Sequence, residues 1–586
     1  MGHLQFYSKR IQLVFVILLI VFSLGSLNKL HSGITLVNPN LNQSNNYVVF
    51  TGESPGQLAG YSVSGVGDVN NDGYDDFIIS AASYPTLYDY QTKTYLILGG
   101  SNINTSSSLN LVQANASYIG ESLYQITDAG SYYTIQIVSG VGDVNNDGYD
   151  DFIIGADQNT EGGSKAGQVY LIFGRPTNQW TLDVSLANSN ASFIGSPGEQ
   201  LGMAVNGVGD VNHDNFDDFI IGAPANSDES SYGGKVYLIL GRATNWVMDS
   251  SLSTSANASF YGEHAMDNLG IHNTGVGDVN NDGYDDFLLT SGPNSDAGYQ
   301  FGQTYLFLGK DSWTSNLNVS LAANASYLGV STTDSSTRMP VAGLGDFNGD
   351  GYDDFAISNP VDGNGKISVI YGSSVISGMN QNLNQASTSF EGLSGDCAGA
   401  SIAGIGDINI DGYDDFITGS PCTSVYGNYA GKLYIILGSN QWGINTSLSF
   451  ASKTIFGSEA GNYAGMAASG VGHVNDDIYP DFIIGIMISP AATMNGEVYL
   501  FFEAVDPNIK PVTETVTSTQ YSTITSEHTE TTNITVPTPT TVTSVVTLQA
   551  TEEKTVTDSQ LSVNFISIVW AFIPIAVLHM RSKLKG

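Results

Sequence analysis

Cysteine is scarce: this chain of 586 residues has only Cys397 and Cys422. A scaffold held by several disulfides is therefore excluded. Cations are scarce as well, with 18 Lys and Arg against 56 Asp and Glu and a formal charge of -38. Phosphate backbones are bound through Lys and Arg, so nucleic acid is not an expected partner. A solvating acidic coat would spread its acids widely, yet charged residues make up only 13% of the chain. Helical periodicity is weak from end to end. None of the 8 histidines stands in an HExxH pair, and a serine-hydrolase nucleophile turn is not expected either, so an enzyme is not the favoured reading. Long apolar runs are confined to the two ends.

What is present is repetition. "GVGDVNNDGYDDF" begins at Gly65, Gly140 and Gly275, with close variants at Gly207, Gly343 and Gly404 and a worn copy, "GVGHVNDDIYPDF", at Gly470. The period is roughly 60 to 75 residues, and six intact copies hold 24 of the 56 acids. The acidity is thus concentrated in loops, which points to bound cations. Each unit carries four short strand-like runs, as in the third: "ASFIG" ending at Gly195, "LGMAVNGVG" from Leu201, "DFIIGAP" from Asp218 and "GKVYLILG" from Gly234. Such runs, rich in Val, Ile, Tyr and Phe and bounded by Gly, Asn and Asp, read as β-strands. Four strands repeated seven times predict an all-β, seven-bladed β-propeller over 33–506. A spare run, "NYVVFTG" from Asn45, precedes the first loop, and none follows "GEVYLFFE" at the other end. The N-terminal run is expected to complete the last sheet as its outermost strand, closing the ring and covering an open edge.

The acidic loop explains itself position by position. Counted from Asp68, oxygen-bearing side chains stand at positions 1, 3, 5 and 9, and Gly73 at position 6 permits the positive φ of a tight turn. The carbonyl at position 7 is then free to point inward. Hard oxygen donors at this spacing suit calcium, at about 2.3–2.6 Å, better than magnesium, which demands a stricter octahedron. The expected ligands are Asp68, Asn70, Asp72, Tyr74 and Asp76; Asp143, Asn145, Asp147, Tyr149 and Asp151; and Asp210, Asn212, Asp214, Phe216 and Asp218. The later loops supply Asp278, Asn280, Asp282, Tyr284 and Asp286; Asp346, Asn348, Asp350, Tyr352 and Asp354; and Asp407, Asn409, Asp411, Tyr413 and Asp415. The aspartate at position 8 is expected to turn away, onto a neighbouring backbone amide. EF-hand loops open in the same way but need an acid at position 12, where this chain has Ile79 and its equivalents. An Asx-rich turn without metal is the plainer alternative, but a turn does not need acids at positions 1, 5 and 9 six times over. In the seventh loop His473 and Ile478 replace the first aspartate and the glycine, so about six calcium sites are expected and the seventh is expected to be empty or weak.

The ends and linkers suggest a compartment. Lys9 and Arg10 precede an apolar run, so 1–32 reads as a signal peptide or signal anchor. Residues 507–560 form a stalk, with 18 Thr and 5 Ser between 511 and 560. The apolar segment 561–580 is long enough for a transmembrane helix, and 581–586, with Arg581, Lys583 and Lys585, suits a cytoplasmic tail. Acceptor sequons for N-glycans occur at Asn42, Asn104, Asn115, Asn190, Asn257, Asn318, Asn324, Asn445 and Asn533, four of them as "NAS" at one phase of the repeat. The two cysteines flank the sixth loop at similar distances. They read either as a disulfide across antiparallel strands or as two buried thiols.

The combined pattern in "LGMAVNGVGDVNHDNFDDFIIGAP", followed by "GKVYLILG", resembles the FG-GAP repeat of the integrin alpha-chain head. The resemblance implies a seven-bladed propeller with calcium loops between the first and second strands of each blade. This chain departs from that family by keeping the loop in units one to six, by following the head with a stalk, and by lacking the GFFKR juxtamembrane motif. An integrin-type beta subunit is therefore a doubtful partner. The reading is a single-pass cell-surface protein for adhesion or ligand recognition, with an extracellular protein or carbohydrate as ligand. A structural cell-envelope component is the alternative, and an extracellular hydrolase is less favoured. Tyr84, Tyr88, Tyr90, Tyr124, Tyr132 and Tyr133, on loops opposite the acidic ones, are the candidate ligand contacts, since tyrosine offers contact area at low entropic cost.

Overall fold

The computed structural model describes residues 34–36, 47–54, 56–83, 92–103, 108–121, 137–294, 301–329, 339–360, 364–486 and 495–502. The signal segment, stalk, membrane segment and tail lie outside these residues, as do the six candidate ligand tyrosines. Among the described residues no helix is long and apolar enough to cross a membrane.

Seven sheets form seven blades. In the third, Ala204–Gly209, Asp218–Ala223, Lys235–Ile239 and Ala258–Tyr261 run antiparallel in chain order, with Ile221 opposite Tyr237 and Tyr237 opposite Ser259. Leu317–Asn318, from the connection beyond the next blade's third strand, adds a short fifth strand in parallel. The same addition recurs in six of the seven sheets, and in the sixth blade Ile34–Leu36 takes that place antiparallel, so each sheet has five strands where the sequence pattern shows four. The fifth strand is missed because it is short, in four blades only a pair such as Val184–Ser185, too little to carry a period-two signal.

The first strands line the axis, and their approach is set by one glycine per blade. A Cβ on Gly207 would meet the Gly140 carbonyl at 2.8 Å, one on Gly140 the Gly65 carbonyl at 2.7 Å, and one on Gly65 the Gly470 carbonyl at 2.7 Å. The chain of contacts runs on through Gly404, Gly343 and Gly275 back to Gly207, which is a closed ring. The following glycine is in the left-handed region, φ +70° at Gly67, where the register slips by one residue. Such a bulge bends the strand out into its loop.

The core lies between blades. Val205, Phe219, Ile221 and Tyr237 of the third blade bury themselves against Val141, Ile153, Val169 and Leu171 of the second. Phe219 is fully buried and stacks on Trp246 at 6.1 Å. Tyr47–Thr51 pairs antiparallel with Glu497–Phe501 in the seventh blade, Val49 opposite Tyr499. It is the fourth strand of five, because Ser108–Asn110 covers its outer edge. Ile34–Leu36 pairs with Lys453–Gly457 in the sixth blade, so the N-terminal segment reaches both closing blades.

Phe219→Ala removes a fully buried ring at one such interface. It is expected to cost about 3–5 kcal/mol of stability, read as a lowered denaturation midpoint.

Candidate functional site: the acidic loops

Each intact loop folds on its own side chains. In the first, the Asp68 carboxylate accepts from the N–H groups of Asp72 at 3.0 Å and Gly73 at 2.7 Å. Asn70 Oδ1 also accepts from Asp72, and Asp72 Oδ1 accepts from Tyr74 N–H at 3.1 Å. Positive φ occurs at position 6, on Gly73 (93°) and its equivalents, and also at position 4, on Asn71 (54°), Asn146, His213, Asn281, Gly349 and Ile410. The second of these turns was not legible in the sequence, because an Ile at that place hides it.

The aspartate at position 9 is buried. Asp76 Oδ2 accepts from Val69 N–H at 3.0 Å and Oδ1 from Gly99 N–H at 2.7 Å. One carboxylate thus joins the loop to the end of the third strand. Asp151, Asp218, Asp286, Asp354 and Asp415 repeat the arrangement, with Asn348 as the loop donor in the fifth blade. Burial pushes each of these carboxyls up to about 8, and neighbours such as Asp68 and Asp72 push in the same direction. Among the described residues no Lys or Arg is ion-paired to a loop carboxylate.

The aspartate at position 8 does turn away. Asp150 Oδ2 accepts from the backbone N–H of Asp68, in the preceding blade, at 2.8 Å. Asp217, Asp285, Asp353, Asp414 and Asp75 make the same bond to Asp143, Asp210, Asp278, Asp346 and His473. Six of the seven interfaces carry this bridge. The seventh has Pro480 in place of the acid, packed near Gly406.

Loop seven takes another path. Neither Asp476 nor Ile478 has a positive φ. Asn475 accepts from Asp477, Asp477 accepts from Tyr479, and Ile478 is 68% exposed.

The structure brings positions 1, 3, 5 and 9 onto one short loop in all six intact copies. It does not draw them into a tight cluster: among the described residues no three Asp, Glu, His or Cys side chains converge as a metal site. The reason is visible in the bonds, since the first aspartate spends both oxygens on the N–H groups of positions 5 and 6. The donor set itself fits a hard dication, being carboxylate and amide oxygens with a buried acid that no cation balances.

The opposite face holds the other features. Cys397 and Cys422 form a disulfide with Cα atoms 5.6 Å apart, joining the connection into the sixth blade to that blade's second-to-third strand loop. Beneath it, Asp396 accepts from Lys432 Nζ at 2.8 Å and Tyr434 Oη at 2.7 Å. Nearby, Tyr429 stacks on Tyr463 at 5.4 Å and is 50% exposed. These tyrosines escaped the sequence reading; the repeated "GNYAG" was the available signal. The axis opens into a cavity of about 660 Å³ lined by Tyr61, Ile137, Met203, Ile271, Pro340 and Met466 among others.

With this geometry in place, the family model described as the FG-GAP repeat matches residues 59–97, 138–172, 204–239 and 341–370. The chain is 31% identical over 186 residues to the phosphatidylinositol-glycan-specific phospholipase D of Bos taurus, covering 31% of this chain and 21% of that protein. It is 29% identical over 151 residues to integrin alpha-7 of Mus musculus, covering 26% and 12%. Against integrin alpha-6 of Gallus gallus it is 27% identical over 284 residues, covering 44% and 24%. The chain therefore spans about a quarter or less of these relatives' lengths.

Two outcomes are expected. An unfolded aspartate titrates near 3.9, so carboxyls held near 8 make the native state bind more protons between those values. Their contribution to metal-free stability is full below about pH 4 and is lost as pH rises to about 8. Chelator-treated protein should therefore melt at a lower temperature at pH 8 than at pH 6. Replacing both cysteines by serine should cost about 2–4 kcal/mol, read by denaturation against the oxidised parent.

Proposed function

We propose that this chain, built of FG-GAP repeats and folded as a seven-bladed propeller, is a calcium-binding, membrane-anchored surface protein whose head recognises an extracellular protein or carbohydrate. The observation that carries the calcium part of this reading is the buried aspartate of each intact loop, pushed up to about 8, with two further acids beside it and, among the described residues, no ion-paired Lys or Arg. Asp68, Asn70, Asp72, Asp76 and the Tyr74 carbonyl would hold one calcium, and their equivalents would hold five more. The ion, when bound, supplies charge neutralisation. The chain's own part is to present oxygens from a loop already fixed by backbone bonds, and to tie that loop through Asp76 to the third strand. His473 and Ile478 leave loop seven without such a set.

The disulfide supports an oxidising compartment, as a surface location requires. The integrin relatives support a head that recognises ligands, and the face opposite the acidic loops is where we place that contact. Tyr84, Tyr88, Tyr90, Tyr124, Tyr132 and Tyr133 remain its candidates.

The bovine relative gives an enzyme a specific observation in its favour. One stretch, "GESPG" at Gly52–Gly56, also has the GxSxG spacing, contrary to the expectation from the sequence. In the structure it connects strand Tyr47–Thr51 to strand Gln57–Gly67, whereas a nucleophile turn leads from strand to helix. Among the described residues no histidine bonds to Ser54. Binding is the better supported role.

The test is calorimetric titration of calcium into chelator-treated protein, with melting followed in parallel. About six ions per chain and a raised melting temperature are expected. A ligand at a hundred times its Kd adds about 2.7 kcal/mol per independent site. No heat and an unchanged melt would sink the calcium reading.

A further inference from the structure

Four of the sequons occupy one structural position. Asn115, Asn190, Asn257 and Asn324 sit in blades one to four, on the turn between third and outer strand, and all are exposed. In each the backbone N–H donates back to the third strand, to Leu96, Leu171, Leu238 and Leu306. In each the side-chain Oδ1 accepts a second third-strand N–H, from Leu98, Phe173, Leu240 and Leu308, at 2.9–3.0 Å. Oδ1 is thereby fixed toward the sheet. Among the described residues no hydrogen bond uses the Nδ2 of any of the four. Leu98 directly precedes Gly99, whose N–H reaches Asp76, so the four amides stand on the rim of the acidic-loop face.

The serine of each sequon has a different task. Ser117 is buried; its Oγ accepts from Asp183 N–H at 2.7 Å and donates to Asp183 Oδ1. Ser192, Ser259 and Ser326 accept likewise from Asp249, Asn316 and Asn380, which docks the fifth strand. The fold therefore demands the hydroxyl. It does not demand the asparagine, because in blade five Ser387 Oγ accepts the matching N–H, from Tyr371, at 3.2 Å.

We propose that Asn115, Asn190, Asn257 and Asn324 are N-glycosylation sites, forming an arc of glycans along the acidic-loop rim of blades one to four. The donor class is an oligosaccharide linked through phosphate to a polyprenol. The amide Nδ2 attacks the sugar C1, the N–C1 bond forms and the C1–O bond to the lipid phosphate breaks. The phosphate leaves with the electron pair, and the amide loses one proton to a base. Because the sequon serine is buried and bonded in the folded blade, transfer must precede docking of the fifth strand, so the substrate is the nascent chain. The glycans, sharing one rim, leave the opposite face bare for a ligand. This inference rests on the surface location proposed above.

The experiment is peptide mass spectrometry on the full chain from the cells that make it, after protease shaving of intact cells to report its location. Glycan-bearing peptides at the four asparagines of shaved protein are expected, along with failure of purified folded, unmodified protein to accept glycan from lipid-linked donor and transferase. Shaved protein whose four asparagines are bare overturns the arc while leaving the surface location standing. Protein that is shielded from shaving and bare overturns both.

Discussion

The molecule depends on a buried carboxylate repeated seven times. Asp76 and its equivalents take one N–H from their own loop and, in six blades, another from the glycine that ends the third strand. An apolar residue there would leave two donors unpaired, and a buried unsatisfied group costs about 1–3 kcal/mol. The carboxylate earns its place by this cross-link, but it is an acid in a dry place, beside more acids. A proton relieves that conflict, and so would the cation proposed above, which the remaining oxygens of the loop would hold.

Packing around the axis imposes the rest of the motif. The first glycine of "GVG" lies against the carbonyl of its counterpart one blade back, leaving no space for a side chain. The second glycine turns the strand outward at a left-handed φ and leaves room for the position-8 aspartate of the next blade, which bonds the following N–H. Glycine, valine, glycine and aspartate are thus one device, in which the valine packs between blades and the neighbours approach on either side. The repeat is strict here because each residue serves two blades at once.

That strictness is why so much was legible. Blade number, strand order, the loop between first and second strands and the outward turn of position 8 all follow from residues that recur at fixed spacing. Other features were hidden for physical reasons. The fifth strand is two to five residues of mixed character, and in blades one to five it docks on a serine of the blade it joins, so no local pattern marks it. The left-handed turn at position 4 is occupied by Asn, His, Gly and Ile in different copies, which blurs its signal. The Tyr429–Tyr463 stack joins residues far apart in sequence, one on a blade-six loop and one on the connection into blade seven. The cysteines left a choice between disulfide and thiols, because spacing alone does not set the direction of two Cβ vectors.

The worn seventh loop falls where the ring has another means of closing. Between blades six and seven the aspartate bridge is lost to Pro480, and the loop of blade seven has lost its first acid and its glycine. The same two blades receive the N-terminal strands, Ile34–Leu36 on blade six and Tyr47–Thr51 on blade seven, the latter through five residue pairs. On its other side blade seven is held to blade one by Asp75 on His473 N–H and by Tyr74 Oη on Asp476. In blade seven the third strand is thus paired by a segment from the other end of the chain, where the other blades pair theirs with a strand that follows it in the chain. A junction so held tolerates a loop that neither bridges nor carries a full oxygen set. In blades one to six, whose fourth strand follows the third along the chain, the loops keep both functions, and those are the loops whose acids remain complete.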